Sequence, residues 1–297
     1  MLNELMSRIT VKLLRKIIRY VLDSWLADEL KAVTVNYRLR PTNRDICSTE
    51  VDVRGAYLNG YSDSQLNEYI IAKSRRWIES LNVADYVVPP HMYSLLWVIQ
   101  VAQVRLGRSL RVIDFGGGPP TIPVLLRQLG MGQHLDSYKI IENPAFISRV
   151  PPDWKGICNY ADTFDGDSCD LLILSSVLPY LSRDLVRAIY CNINLTPPHF
   201  IYFGRTSFLR NDYPEDEVYT VQDSPFRDHG VQGEIGMAHI ADNIAHHAKR
   251  HFKWSEISNV LNPLGYRQVL ELTDQSGLEN IESLGLHSRN SLWELQG

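Results

Sequence analysis

Apolar and polar positions follow a helical period in the first third of the chain. Apolar residues recur there at intervals of three and four, which predicts amphipathic helices. The predicted helices span residues 1–35, 62–81 and about 90–106. Between the first two, residues 36–60 are polar and interrupted by proline and glycine, which predicts irregular backbone. We therefore expect residues 1–107 to form a helical N-terminal region and lid.

The pattern changes near residue 108, where short apolar runs begin to alternate with helical periodicity. The runs predict strands at Leu110–Phe115, Tyr138–Glu142, Gly156–Tyr160, Leu171–Val177, Phe200–Gly204, Arg267–Leu272 and Ser291–Leu295. Helical patterns fall between several of them, at Ile122–Leu129, Arg183–Ile193 and Trp254–Leu264. This alternation predicts an α/β fold whose mostly parallel sheet is covered on both faces. The last two strands are joined by a loop alone, which favours an antiparallel C-terminal hairpin. We expect one domain over 108–297, with a polar insertion at about 207–250.

The most informative segment is the glycine-rich turn after the first of these strands. Asp114 lies near the end of the strand, and Gly116, Gly117 and Gly118 follow it ahead of a helical pattern. Glycines let the backbone approach a ligand closely, and a helix N-terminus offers amide donors. This strand–turn–helix unit favours a nucleotide-like cofactor. An ordinary connection without a ligand is the alternative.

Polar residues follow the next strands, where an open parallel sheet binds its ligands. Glu142, with Asn143 after it, stands where an acidic side chain can accept hydrogen bonds from ribose hydroxyls. Asp162 follows the third strand and could accept from an adenine amino group, and Ser175 ends the fourth. The alternatives are a solvent-facing acid for Glu142 and a helix cap or turn residue for Asp162. We expect the carboxylates of Asp114 and Glu142 to converge on one hollow.

Together these residues resemble the class I S-adenosylmethionine-dependent methyltransferases. The chain is more closely similar to a little-studied group of methyltransferases associated with bacterial polysaccharide biosynthesis. The segments that carry the likeness are Gly60-Tyr61, Val112–Gly117, Asp170–Leu181, Arg205–Phe208 and Val221-Gln222. The methyltransferase motif is moderately specific, and the serine-rich fourth strand and the Arg205–Phe208 and Val221-Gln222 segments are more specific for the smaller group.

The resemblance implies a Rossmann-like sheet and S-adenosyl-L-methionine as cofactor. It implies that Asp114 and the three glycines hold the methionine part, that Glu142 and Asn143 bind near the ribose, and that Asp162 and Ser175 complete the cofactor site. The sequence departs from the family at Pro120, where the family usually has a third glycine. Pro119 and Pro120 stiffen the turn and remove amide donors. A dinucleotide such as NAD fits less well, since its fingerprint would require a glycine at or near Thr121.

The acceptor is expected beyond the fourth and fifth strands. Arg205, in the predicted end Gly204-Arg205-Thr206 of the fifth strand, could hold a carboxylate or phosphate through two hydrogen bonds, or form a structural ion pair. Thr206 and Gln222 are further candidates for substrate contact. Histidines are frequent at the end of the insertion, which has a helical and polar pattern, and they lack the glutamate of a zinc motif. We therefore predict no metal site, and the sequence selects no general base among these histidines and His91.

Composition narrows the class of protein. The net charge of −4 argues against a nucleic-acid partner, and no apolar run approaches the ~20 residues that span a bilayer. Four scattered cysteines, without metal-ligand spacing, predict buried reduced thiols and a cytoplasmic location. Residues 1–35 combine an apolar face with a basic one, so they could contact an anionic membrane or a partner, or pack on their own domain.

Two functions of different classes follow. The first is a methyltransferase that O-methylates a sugar, a glycan precursor or another small molecule. The second is a catalytically silent methyltransferase-like protein that binds a partner or membrane through residues 1–35. Binding of S-adenosylmethionine would distinguish them.

Overall fold

The computed structural model describes residues 42–47, 63–81, 88, 90–165, 167–226, 243–273 and 286–296. Its strands are β1 (Thr42–Cys47), β2 (Leu110–Phe115), β3 (Leu135–Ile141), β4 (Asn159–Ala161), β5 (Leu171–Ser175), β6 (Phe200–Leu209), β7 (Glu217–Phe226), β8 (Asn243–Lys253), β9 (Tyr266–Thr273) and β10 (His287–Leu295). Its helices are α1 (Ser64–Ser80), α2 (Pro90–Leu106), α3 (Thr121–Gln128), α4 (Pro144–Ile147), α5 (Pro152–Lys155), α6 (Arg183–Leu195) and α7 (Ser255–Leu261). Short 3-10 turns span Gly132–His134, Leu178–Tyr180 and Asn262–Leu264.

The strands form one mixed sheet. Its central part has the order β4-β3-β2-β5-β6-β10-β9, and β8, β7 and β1 extend it from the end of β6. In the described part of the chain every strand except β7 and β10 runs in the same direction, because only the pairs made by these two are antiparallel. The predicted α/β fold, mostly parallel with an antiparallel C-terminal pair, is therefore confirmed.

Alternate residues of the central strands bury their side chains on opposite faces of the sheet. In β5, Leu171 and Ile173 pack against α2 and α3, whereas Leu172 and Leu174 pack against α6 and α7. All four are fully buried. Burial of each such side chain contributes roughly 2 kcal/mol. The two helical layers thus hold the strand ends, and the site that they carry, in a fixed arrangement.

The predicted helices in the described residues are present with small shifts at their ends. The side chain of Asp63 caps α1 by accepting hydrogen bonds from the backbone N–H groups of Gln65 and Leu66, at 2.8 and 3.0 Å. Pro90 starts α2, as the preference for proline in a first helical turn predicts. The predicted amphipathic helix at residues 1–35 lies outside the described residues, so its membrane contact stays a prediction.

Three predictions about regular structure are wrong. Residues 42–47 lie within the segment predicted to be irregular, but they form β1 because β7 offers its edge for pairing. The histidine-rich end of the insertion is strand β8, not helix, and pairs with β7 along its whole length. β6 continues five residues beyond Gly204, to Leu209, because β10 pairs with it past that point.

Charged side chains fasten the β7–β8 hairpin to the helices. Arg250 of β8 is buried and donates to Glu217 of β7 at 2.6 Å, and it also pairs with Glu256 of α7. Glu217 pairs in addition with Arg183 at the start of α6. Buried ions need such partners to offset their desolvation. The β7–β8 pair is thus attached to helices α6 and α7.

Two further observations concern helix length and the cysteines. No helix in the described ranges is both long and apolar enough to cross a bilayer. Cys158 and Cys169 are buried and free, as expected, whereas Cys191 is free but exposed.

Candidate functional site

A cavity of about 750 Å³ opens at the carboxyl ends of β2, β3, β4 and β5. β2 and β5 are neighbours in the sheet although they are not consecutive in the chain, and such a switch point is where open α/β sheets bind ligands. The predicted site residues that line the cavity are Asp114, Gly116, Gly117, Glu142, Asn143, Asp162, Ser175 and Arg205. Sequence reasoning therefore places most of the candidate residues around a single cavity.

Asp114 presents a buried carboxylate to this cavity. The phenol of Tyr138, on β3, donates to its Oδ2 at 2.7 Å. Burial raises the pKa of Asp114 to about 7, the Tyr138 hydrogen bond opposes that rise, and the charge of Glu142 adds to it. A carboxylate that costs this much to ionise favours a cation beside it.

Glu142 faces the same cavity from the end of β3. Its Oε2 accepts hydrogen bonds from the backbone N–H and side-chain amide of Asn143, at 2.9 and 3.1 Å. Burial raises its pKa, while hydrogen bonds from Asn143 and the Gly118 backbone act in the opposite direction. A carboxylate has about four acceptor positions, so these bonds leave Glu142 capacity for a ligand hydroxyl. Asn143 also caps α4, which fixes the carboxylate's surroundings.

The glycine turn fits closely around Asp114. Gly116 has a φ of +72°, and a Cβ at Gly117 would lie 2.5 Å from Oδ2 of Asp114, so both positions require glycine. Gly118 does not line the cavity: its backbone N–H donates to Glu142 and its carbonyl accepts from the Tyr160 phenol at 3.1 Å. The turn therefore shapes the wall between the two carboxylates.

Apolar side chains form a second wall that sequence reasoning missed. The wall contains the buried Phe164, two residues after the exposed Asp162, and helix α6 adds Leu185, Ala188 and Ile189. Leu185 is 42% exposed, so an apolar side chain is left facing the opening. The amphipathic pattern of α6 was a signal for a buried face, but it did not show that part of this face lines a cavity.

Hydroxyl groups line another side of the cavity, at the carboxyl end of β5 and near the middle of β6. Ser175, Ser176, Tyr180 and Arg205 line it. Sequence reasoning named Ser175 and Arg205 but gave no role to Ser176 or Tyr180.

Of the two remaining acceptor candidates, Thr206 lies away from the cavity and Gln222 is described by its backbone alone. Thr206 is fully buried outside the cavity lining, where its hydroxyl donates to the Gly204 carbonyl at 3.2 Å, because β6 continues as a strand and turns this side chain inward. The backbone of Gln222 lies in β7, between β1 and β8, and its side chain is outside the described residues. We therefore omit Thr206 from the acceptor side, whereas an acceptor contact of Gln222 stays a prediction.

The histidines of β8 lie behind the cavity wall. His247 contacts the Tyr180 ring edge-on at 6.1 Å between centroids, and His251 shares a hydrogen bond with Thr220 at 2.9 Å. Burial lowers the pKa of His251 to about 3, so it is neutral at physiological pH. Within the described residues no group of histidine, cysteine and carboxylate side chains has the arrangement of a metal site.

Comparisons with known proteins return solved structures only. No protein-family profile and no curated protein matches the chain. A S-adenosylmethionine-dependent methyltransferase from Clostridium acetobutylicum is similar at 15% identity and a TM-score of 0.47, over 76% of this chain and 98% of that one. CalS10, an amino pentose methyltransferase from Micromonospora echinaspora, is similar at 13% identity and a TM-score of 0.45, over 75% and 96%. A Burkholderia thailandensis 1,6-didemethyltoxoflavin-N1-methyltransferase is similar at 14% identity and a TM-score of 0.40, over 77% and 90%. We base the function on the geometry of the cavity.

Proposed function

We propose that this chain is an S-adenosylmethionine-dependent methyltransferase acting on a small molecule. One observation carries the proposal: Asp114 and Glu142, on neighbouring strands, converge on a single cavity beside the Gly116–Gly118 turn. The silent alternative uses residues 1–35, and no feature of the described residues favours it.

The residues present suit this cofactor. Its amino acid part carries an ammonium group and its sulfur is a sulfonium, and either cation would relieve the unfavourable ionisation of Asp114. Glu142 retains acceptor capacity for a ribose hydroxyl, with Asn143 beside it. The apolar wall of Phe164 and α6 would face the adenine ring, whose amino group Asp162 could accept from. Ser175 would lie near the methionine part.

The Pro119-Pro120 pair changes how the cofactor is recognised. Neither proline has a backbone N–H, and the N–H of Thr121 already donates to the Pro119 carbonyl at 2.7 Å. Amide donors at the start of α3 are therefore scarce. The carboxylates of Asp114 and Glu142 would therefore provide most of the polar contacts to the cofactor. Removing one of them should weaken cofactor binding strongly.

The cofactor, when bound, supplies a methyl group activated on a sulfonium. The chain's own contribution is to hold this group and the acceptor in line and close together, since positioning accounts for much of the rate in such transfers. Ser176 and Arg205, which line the cavity beyond Ser175, would orient the acceptor. We further propose that the acceptor is a sugar, a glycan precursor or a similar small molecule methylated on oxygen, a proposal supported by the resemblance of the Asp170–Leu181 and Arg205–Phe208 segments.

Calorimetric titration with S-adenosylhomocysteine tests the cofactor. We expect binding in the micromolar range, and we expect Glu142→Gln to weaken it at least tenfold because the single amide oxygen cannot keep the hydrogen bonds from Asn143 and Gly118 and also accept one from a ribose hydroxyl. Glu79→Gln, on the exposed face of α1, is the matched control and should bind as the unmodified protein does. A flat titration, or equal affinity in Glu142→Gln, would contradict the proposal. Heat from NAD instead would indicate a dinucleotide enzyme.

A further inference from the structure

Arg205 lies in a β-bulge. Along the β6–β10 pair, Thr206 lies opposite Arg289 and Phe203 lies opposite Ser291. Gly204 and Arg205 together therefore oppose the single residue Asn290. A bulge interrupts the alternation of side chains along a strand and redirects one of them, and bulges are frequent next to active sites. Here the redirected side chain is that of Arg205, which lines the cavity.

The bulge is fixed from both sides. The buried amide of Asn290 accepts a hydrogen bond from the Arg205 N–H at 2.6 Å. On the other side, the Ser176 hydroxyl donates to the Arg205 carbonyl at 3.2 Å, and the Ser176 N–H donates to the Gly204 carbonyl at 2.7 Å. These bonds hold the Arg205 backbone in place, so the direction of its Cα–Cβ bond is set before any ligand arrives.

Ser176 and Arg205, which are hydrogen-bonded to each other at the bulge, both have a strained backbone. Ser176 and Arg205 have φ values of 56° and 50°, and they are the non-glycine residues in the described part of the chain with a positive φ. A left-handed conformation is unfavourable for a residue with a Cβ, and such residues concentrate at functional sites. Glycine at position 205 would avoid this cost. The backbone conformation therefore does not account for an arginine at this position, which indicates a role for its side chain.

Arg205 has no structural partner that would explain it. Its side chain is exposed and forms neither an ion pair nor a hydrogen bond with any residue that the structure describes. Arg210, five residues later on the same segment, is instead paired with Asp212 at 3.3 Å. The ion-pair alternative considered for Arg205 is therefore not observed among these residues.

The acidic and basic residues that line the cavity lie on different sides of it. The carboxylates that line it lie near or just beyond the ends of three strands: Asp114 near the end of β2, Glu142 after β3, and Asp162 and Asp165 after β4. Among the described lining residues Arg205 alone is cationic. β6 is two strands from β2, roughly 10 Å away at the usual strand spacing. The acidic half suits a cationic ligand and the far half suits an anion.

We infer that the acceptor carries a carboxylate or phosphate group and that the guanidinium of Arg205, aimed by the bulge, binds this anion. The inference rests on the proposed function for the identity of the second ligand. An arginine fork binds either oxyanion through two parallel hydrogen bonds, and the hydroxyls of Ser176 and Tyr180 lie on the same side of the cavity.

Calorimetry with three probes tests this inference: glucuronate, glucose 1-phosphate and uncharged glucose, each titrated into the protein with and without S-adenosylhomocysteine. We expect one of the anions to bind at least tenfold more tightly than glucose, and the better of the two identifies the oxyanion. Arg205→Lys should weaken that anion at least tenfold because lysine cannot reproduce the fork. Arg210→Lys, the matched control, should leave it unchanged.

Arg205→Gly separates a binding role from a structural one. Glycine tolerates the left-handed backbone, so this variant should lose anion binding without a lower urea midpoint. Anions that bind no better than glucose, or bind equally to Arg205→Lys, would overturn the inference, and so would a lowered urea midpoint in Arg205→Gly. Failure of S-adenosylhomocysteine to bind would instead contradict the proposed function, while the titrations without it would still decide the role of Arg205.

Discussion

Asp114→Asn should stabilise the ligand-free protein at neutral pH. The side chain is 6% exposed, and burial raises its pKa from the ordinary value of 3.8 to about 7. Asparagine has the same shape and can still accept from the Tyr138 phenol, but it never ionises. The substitution therefore removes a charge whose burial the native state has to accommodate.

The magnitude follows from the difference between the folded and unfolded pKa values. Each pKa unit corresponds to 1.36 kcal/mol, so a rise of about three units costs the native state about 4 kcal/mol once both forms are ionised. The sign follows from proton binding: the folded protein holds this proton more tightly, so the stability due to Asp114 is fully present below pH 4. It is lost as the pH rises through 7.

Urea denaturation, followed by tryptophan fluorescence, measures this effect. We expect Asp114→Asn and the unmodified protein to have similar free energies of unfolding near pH 4 and to diverge progressively up to pH 8. Tyr138→Phe is the matched variant: it keeps the carboxylate but removes the hydrogen bond that opposes the pKa rise, so it should unfold more readily at pH 8. Asp114→Asn should at the same time bind S-adenosylhomocysteine more weakly, because it lacks the negative charge. A difference in stability that does not change with pH would refute the reasoning.

Two further predictions concern the turn and the sheet. Gly117→Ala should displace the Asp114 carboxylate, since its Cβ would lie 2.5 Å from Oδ2, and should weaken S-adenosylhomocysteine binding tenfold or more by calorimetry. Gly156→Ala, whose Cβ meets only the Asp153 carbonyl at 3.4 Å, is its control, and equal binding by both variants would count against the turn's role. Asp170→Asn should lower the free energy of unfolding by about 2 kcal/mol at pH 7, because this buried carboxylate accepts from the Arg111 backbone and from two guanidinium groups. Burial alone would raise its pKa, but those hydrogen bonds hold it well below the usual value of 3.8, so the difference should begin to shrink below pH 4 and vanish only as the pH falls through the lowered pKa.

The parallel core of the fold could be predicted because its strands are buried on both faces. Continuous apolar runs such as Leu171–Ser175, separated by amphipathic helices, leave few other arrangements. The hairpin of β7 and β8 was not predictable in the same way. β8 contains three histidines and three basic residues, and its burial depends on partners such as Glu217 and Glu256 that are distant in sequence.

The half of the cavity that contains the carboxylates was more predictable than the half that contains Arg205. Asp114 and Glu142 follow directly from strand ends, whereas the role of Arg205 depends on a bulge whose partner, Asn290, lies 85 residues away. Tyr138 was also missed, because a tyrosine inside an apolar strand has the pattern of an ordinary core residue. In the parallel register it lies beside Val112, two residues from Asp114, and its hydroxyl reaches that carboxylate.

A crystal structure of the protein with S-adenosylhomocysteine tests the central claim most directly. We predict ribose hydroxyls within about 3 Å of the Glu142 carboxylate and the ligand's amino group on the side of Asp114. A ligand bound away from these two carboxylates, or one that contacts neither of them, would contradict the account.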